Sequence, residues 1–230
     1  MTACADIIDL LAGIAPGDPL TAVRDQRAQA RENAQRSFTA LLEPEDPGTF
    51  ALAERYAVAA FVARLHGFDA ATAFYDDLLG DEAPELVGVV AAAAAATATQ
   101  GPYVAYREPQ LAGESTAGPR WTAREVDAAA SGSLGPRLAA ALAHTHLLVF
   151  RPREARADAL RALVAASWSA DDIVSLSQLV AFLAFQLRLA WGLRVLAAAG
   201  PADAEASAPA PPADGGEAPA PAARKAAIKR

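Results

Sequence analysis

Cysteine is almost missing from this 230-residue sequence: Cys4 stands alone. A single thiol excludes an intramolecular disulfide, a CxxC redox pair and a thiolate-rich metal site. Aromatic residues make up only 7%, and β-branched runs are short, so little argues for strands. No basic stripe is present; the net charge is −7 and the pI near 5.0, which counts against a duplex nucleic acid as partner. A Gly-rich phosphate loop and a nucleophile elbow are also absent. At the N-terminus, MTACADIIDLLAGIAPGDP has no basic n-region and is interrupted by Asp6 and Asp9, so it does not read as a signal peptide. The expected location is cytoplasmic.

What fills the chain instead is alanine, with other strong helix formers, and the fold class that follows is all-α. The pattern predicts a short helix over 4–12, then a turn at PGDPL. Asp18 as N-cap and Pro19 at the first helical position open a second helix that runs to about Leu42. EPEDPG at 43–48 breaks the chain, Thr49 caps the next helix, and Gly67 closes it. Further helices are expected at 69–79, 84–98, 134–150, 154–166 and 170–198. Residues 100–121 read as a long loop anchored by Trp121. The domain thus spans 1–198. The Ala/Pro-rich tail, 199–230, has too few large apolar residues to fold and is expected to be disordered.

Residues 173–196, IVSLSQLVAFLAFQLRLAWGLRVL, form the most apolar long stretch. Its uninterrupted apolar run, Leu179 to Phe185, is far short of the ~20 residues of a membrane helix, and internal arginines oppose insertion. No membrane role is expected. Ser169 suits an N-cap, and Asp171 and Asp172 suit the first turn. Apolar residues surround nearly the whole helix, which predicts a central helix enclosed by neighbours or by a subunit interface. Gln178, Gln186 and Arg188 are then pocket or interface polar residues, partly or wholly buried and in need of partners.

The text RALVAASWSADDIVSLSQLVAFLAFQLRLAWGLRVL resembles the carboxymuconolactone decarboxylase and alkyl hydroperoxidase D-like (CMD/AhpD-like) superfamily. The likeness rests on the start at Ser169 to Ile173, then Phe182, Phe185, Arg188, Gly192 and Leu193. LAERYAVAAFVARLHGFDAATAFY, 52–75, looks like the helix that leads into that family's redox motif. IIDLLAGIAPGDPL and LSQLVAFLAFQLR are similar to a subgroup known as CMD domain proteins, which accompany a separate alkylhydroperoxidase-domain protein. The resemblance implies an AhpD-like helical bundle and a homo-oligomer. In the thiol-peroxidase members it also implies a glutamate, a CxxC pair and a histidine. Glu54 matches the glutamate, but at the family spacing the cysteine positions fall on His66 and Asp69, and the histidine position on Ala73. Shifted by one residue they fall on Gly67, Ala70 and Phe74. Neither register has a thiol, so CxxC-dependent peroxide reduction is excluded.

Two residues remain candidates for catalysis. Glu54 ends an apolar helix face and suits either a general acid or base beside a pocket, or an ion pair with Arg55 or Arg188. His66 precedes the closing glycine, where histidine serves as a proton-transfer group or caps backbone carbonyls. His144 and His146, two apart, lie on different faces and do not converge on a metal; they read as core or interface histidines. RPREAR, 151–156, reads as a solvated turn. No cofactor or metal is indicated. Two functions follow: a non-thiol, degenerate member acting as a binding or partner subunit of a peroxidase-like system, or an enzyme using Glu54 and His66 on a small lactone-like or hydroperoxide substrate.

Overall fold

A computed structural model describes residues 6–206, with side chains described as far as residue 199. Among the described residues the chain is helical, with ten α-helices and no strand. They are α1 (Ile7–Ala12), α2 (Pro19–Asp25), α3 (Ala28–Leu42), α4 (Leu52–Leu65), α5 (Asp69–Glu82), α6 (Pro84–Thr97), α7 (Ala123–Ala129), α8 (Gly135–Phe150), α9 (Ala157–Ala165) and α10 (Ala170–Ala206). Cys4 and residues 207–230, most of the expected tail, lie outside the described residues. Helix α10 continues to Ala206, past the expected end at 198.

Local signals explain most boundaries. Asp18 caps α2 by accepting from the Leu20 N–H at 2.8 Å, with Pro19 at the first helical position. The Ser169 hydroxyl accepts from the Asp172 N–H at 3.1 Å and opens α10. The single helix expected over 18–42 is divided, because Arg27 leaves helical geometry at φ −125° and ψ 48°. Thr49 does not cap α4. Its hydroxyl donates instead to Asp172, and Glu54 accepts from the Ala51 N–H at 3.2 Å to satisfy the helix start. The expected loop at 100–121 holds an antiparallel bridge between Val104 and Thr116 and a 3-10 turn at Pro109–Glu114. Helix α7 follows it, opened by the reciprocal hydrogen bonds of Thr122 and Glu125.

Helix α4, rather than α10, is the enclosed one. Every residue from Arg55 to Ala63 is buried, and α3, α5, α6, α8 and α10 all pack against it. Alanines at 57, 59, 60 and 63 allow this, since small side chains let several helices approach one axis. Helix α10 buries Leu176, Leu179, Leu183, Leu187 and Ala190 against the core and leaves its opposite side open. By length and composition alone, residues 170–199 would suffice to cross a bilayer.

Candidate functional site

The two residues nominated for catalysis sit at opposite ends of α4. Their separation of twelve positions corresponds to about 18 Å along the axis at ~1.5 Å per residue. Neither reaches the other's surroundings, so they do not converge on one substrate atom. Glu54 pairs with Arg137 of α8, Oε1 to Nε at 2.7 Å, and not with Arg55 or Arg188. Arg137 also donates to the Ser167 carbonyl at 2.6 Å and the Thr49 carbonyl at 2.8 Å, and its guanidinium lies 4.2 Å from the Trp168 ring centre. The Trp168 indole in turn donates to the Arg137 carbonyl at 3.0 Å. Asp172 completes the cluster. Burial acts to raise its carboxyl, but hydrogen bonds from Thr49 and Ser169, with the Arg137 charge, hold it below the usual range. Each polar group here has a partner, so the cluster joins the starts of α4, α8 and α10 and leaves no free group aimed at a ligand.

His66 does cap a carbonyl: Nδ1 lies 2.9 Å from the Val62 oxygen. Burial lowers its pKa, and the nearby Arg188 charge lowers it further. His66 and Arg188 share a surface hollow of about 390 Å³ with Phe68, Trp191 and Gly192. Gln178 and Arg188 are exposed rather than buried, because they fall on the open side of α10. Gln186 is fully buried, as expected, and accepts from the Tyr75 hydroxyl, while its Nε2 has no partner. Arg55 is buried against backbone, donating to the carbonyls of Phe50, Leu41 and Pro47.

A different region has the unused chemistry. Helices α8 and α9, with the end of the 100–121 loop, enclose a pocket of about 510 Å³. Alanines, among them Ala140, Ala143, Ala159 and Ala162, form one part of its walls, and Arg120, Glu154, Arg156 and Asp158 stand beside His144 and Arg151 in the rest. Three polar groups among its lining are buried without partners. His144 is 5% exposed, and both ring nitrogens lack a hydrogen bond. Arg151 is 4% exposed, and its Nε and Nη1 groups are unpartnered. The Trp121 indole Nε1 is the third. Burial lowers the pKa of His144, so its imidazole is neutral at pH 7 and offers one donor and one acceptor. Arg151 meets only one carboxylate, Glu154, at 3.8 Å, and Glu154 is already held by Arg120 at 2.6 Å.

Local structure explains why these groups are buried. His144 and His146 are successive even positions on α8, so one faces the pocket while the other turns to the α6 end, 3.1 Å from the Thr97 carbonyl. His146 also packs against Phe150 and Trp121, at ring-centre distances of 4.8 and 6.5 Å. Arg151 is not part of a solvated turn. It caps α8, bonding the Leu147 carbonyl through its own N–H at 2.8 Å, and the 3-10 turn at Pro152–Glu154 follows it directly. Composition around RPREAR gave no hint of this burial, since the covering loop is distant in sequence. The one available signal was Trp121, rightly read as the loop's anchor. Among the described residues no group of three or more His, Cys, Asp or Glu side chains is placed to hold a metal ion. No family model, curated protein or solved structure matches this chain.

Proposed function

We propose that this chain is a non-thiol, CMD/AhpD-like helical protein that works as a binding subunit, and that its ligand is a small organic carboxylate held in the α8–α9 pocket. The observation that carries the reading is the pair of buried, unpartnered groups on Arg151 and His144. Leaving a buried donor without a partner costs about 1–3 kcal/mol, and more for a charged group. A carboxylate would take up the free N–H groups of Arg151 with charge-assisted hydrogen bonds. A second oxygen or a hydroxyl on the ligand would meet neutral His144, and the alanine part of the walls suits an apolar body. The enzyme reading based on Glu54 and His66 draws no support from their positions at opposite ends of α4.

Thermal-shift and calorimetric titration with an aromatic monocarboxylate, its neutral amide and inorganic phosphate tests the proposal. The carboxylate should raise Tm in a concentration-dependent way, the amide should not, and Arg151→Met should reduce carboxylate affinity by about 100-fold, the scale of a lost buried charge-assisted contact. Equal binding of the amide, or carboxylate binding unchanged in Arg151→Met, would overturn it. Peroxide turnover that survives Cys4→Ser would overturn the non-thiol, non-peroxidase part of the reading.

A further inference from the structure

The open side of α10 has an order of its own. Positions 174, 178, 181, 185, 188 and 192 are all exposed, and they follow one another at intervals of four, three, four, three and four. This is the spacing of a seam between two packed helices. Val174 and Phe185 are large apolar side chains left 55% and 49% exposed. Both fall on the seam itself, where a second helix would cover them.

The seam is also self-complementary when reversed. With a two-fold axis opposite position 183, Val174 meets Gly192, Gln178 meets Arg188, and Ala181 meets Phe185. Each pair sets a larger side chain against a smaller one, or a carbonyl acceptor against a guanidinium donor. A Cβ built on Gly192 would meet nothing within 4 Å, so that position is an open notch, walled by Trp191 and Arg188. Val174 of a second copy fits it. At the rim, exposed Asp171 comes beside exposed Arg194, opposite in charge. The parallel arrangement does the reverse: it sets Arg188 on Arg188, Phe185 on Phe185 and a hollow on a hollow.

We infer that the open face of α10 is the interface of a two-fold, antiparallel homodimer of this chain, centred between Ala181 and Phe185. A dimer contact of this kind is isologous, so one surface must complement itself, and this stripe does. The inference is independent of the α8–α9 ligand site, which lies on other helices.

The test uses the full chain in a Cys4→Ser background. Sedimentation velocity at tens of micromolar should show a dimer, and Phe185→Glu should weaken it by about 100-fold while the circular dichroism melt stays close to that of the parent, because Phe185 is not in the protomer core. Mixing chains bearing Val174→Cys with chains bearing Gly192→Cys under an oxidant should give a disulfide-linked dimer. Val174→Cys alone should not cross-link, since its two copies would lie about 27 Å apart along the helices at ~1.5 Å per residue. A monomer at these concentrations, a dimer indifferent to Phe185→Glu, or efficient cross-linking of Val174→Cys alone would each overturn the inference. So would a monomer whose sedimentation with anionic phospholipid vesicles is abolished by Phe185→Glu, which would assign the face to a membrane surface.

Discussion

Arg24 and Arg151 are buried to nearly the same degree, at 8% and 4% exposure, yet their surroundings are opposite. Arg24 of α2 donates to Asp9 at 2.8 Å and Asp6 at 2.6 Å. Arg31 of α3 joins them, bonding Asp6 at 3.2 Å, Asp25 at 2.8 Å and also Asp9. Asp6 itself caps α1 through the N–H groups of Ile8 and Asp9. Every charge in that cluster is matched by one brought from another helix, so it clamps α1, α2 and α3 together. Arg151 has no such match, and burial lowers its pKa with only a distant carboxylate opposing. A buried arginine is therefore not itself a sign of a binding site. What separates Arg24 from Arg151 is whether the donors are already used.

The largest expected effect is at the matched site. Arg24→Met should destabilise the protein by about 3 kcal/mol in urea unfolding, the lower end of the loss for a broken buried ion pair, because Asp6 and Asp9 lose the more deeply buried of their two arginines and keep only Arg31. An effect below about 1 kcal/mol would break the comparison. Tyr75 and Gln186 form a case in between, one hydrogen bond made and one amide donor left over. Tyr75→Phe should cost about 1–3 kcal/mol by stranding Gln186, and Tyr75→Phe with Gln186→Leu should recover most of that loss. Unfolding midpoints of the two single variants and the double variant measure this directly.

The histidines supply a pH test of the same idea. Burial lowers the pKa of His66, His144 and His146. The unfolded chain then binds more protons than the folded one once pH falls below about 6.5, the ordinary histidine value. Stability should be fully present above that pH and decline as pH falls toward the lowered folded-state values. Asp172, with its carboxyl held low, has the same sign but acts only at and below the ordinary carboxylate range. Urea midpoints at pH 7.5 and 5.5 should differ, and His144→Leu should shrink the difference. The smallest effect is expected at the unmatched arginine. Arg151→Met should leave the ligand-free protein within about 1 kcal/mol of the parent, or slightly more stable, because it replaces an unsatisfied charge with an apolar side chain of similar length. A large loss there would mean that Arg151 serves the fold as Arg24 does.

How much of this was legible beforehand depended on the range of the interaction. Asp18 with Pro19, and Ser169 with Asp172, act within one helical turn, and their helix starts appear where the residues predict them. His66 capping Val62 is local in the same way. Glu54 was recognised as facing inward, but its partner, Arg137, is 83 positions away. Arg55 is engaged with backbone carbonyls and Arg188 is exposed, so neither pairs with Glu54. Within one chain, neighbouring helices cover 173–196 on one side only, for a related reason. Leucines, alanines and aromatics all round a helix do not say how many sides a single chain can cover, and α4, with its run of small residues, takes the central place. Breaks at Arg27 and the short helix at Ala123–Ala129 were missed because short helices have few turns in which a period can be seen.

Composition and local pattern thus determined that this chain is built from helices, where most of them start, and that CxxC-dependent thiol chemistry is out of reach with one cysteine. Those are one-body properties or contacts within a turn, set by residue type and spacing. Only the tertiary structure decided which buried charges are matched. It separated Arg24, clamped by Asp6 and Asp9, from Arg151 and His144, which line a pocket with their donors free. That distinction depends on which distant helices meet, and hydrogen-bond satisfaction at a buried site is a property of the meeting and not of the residue.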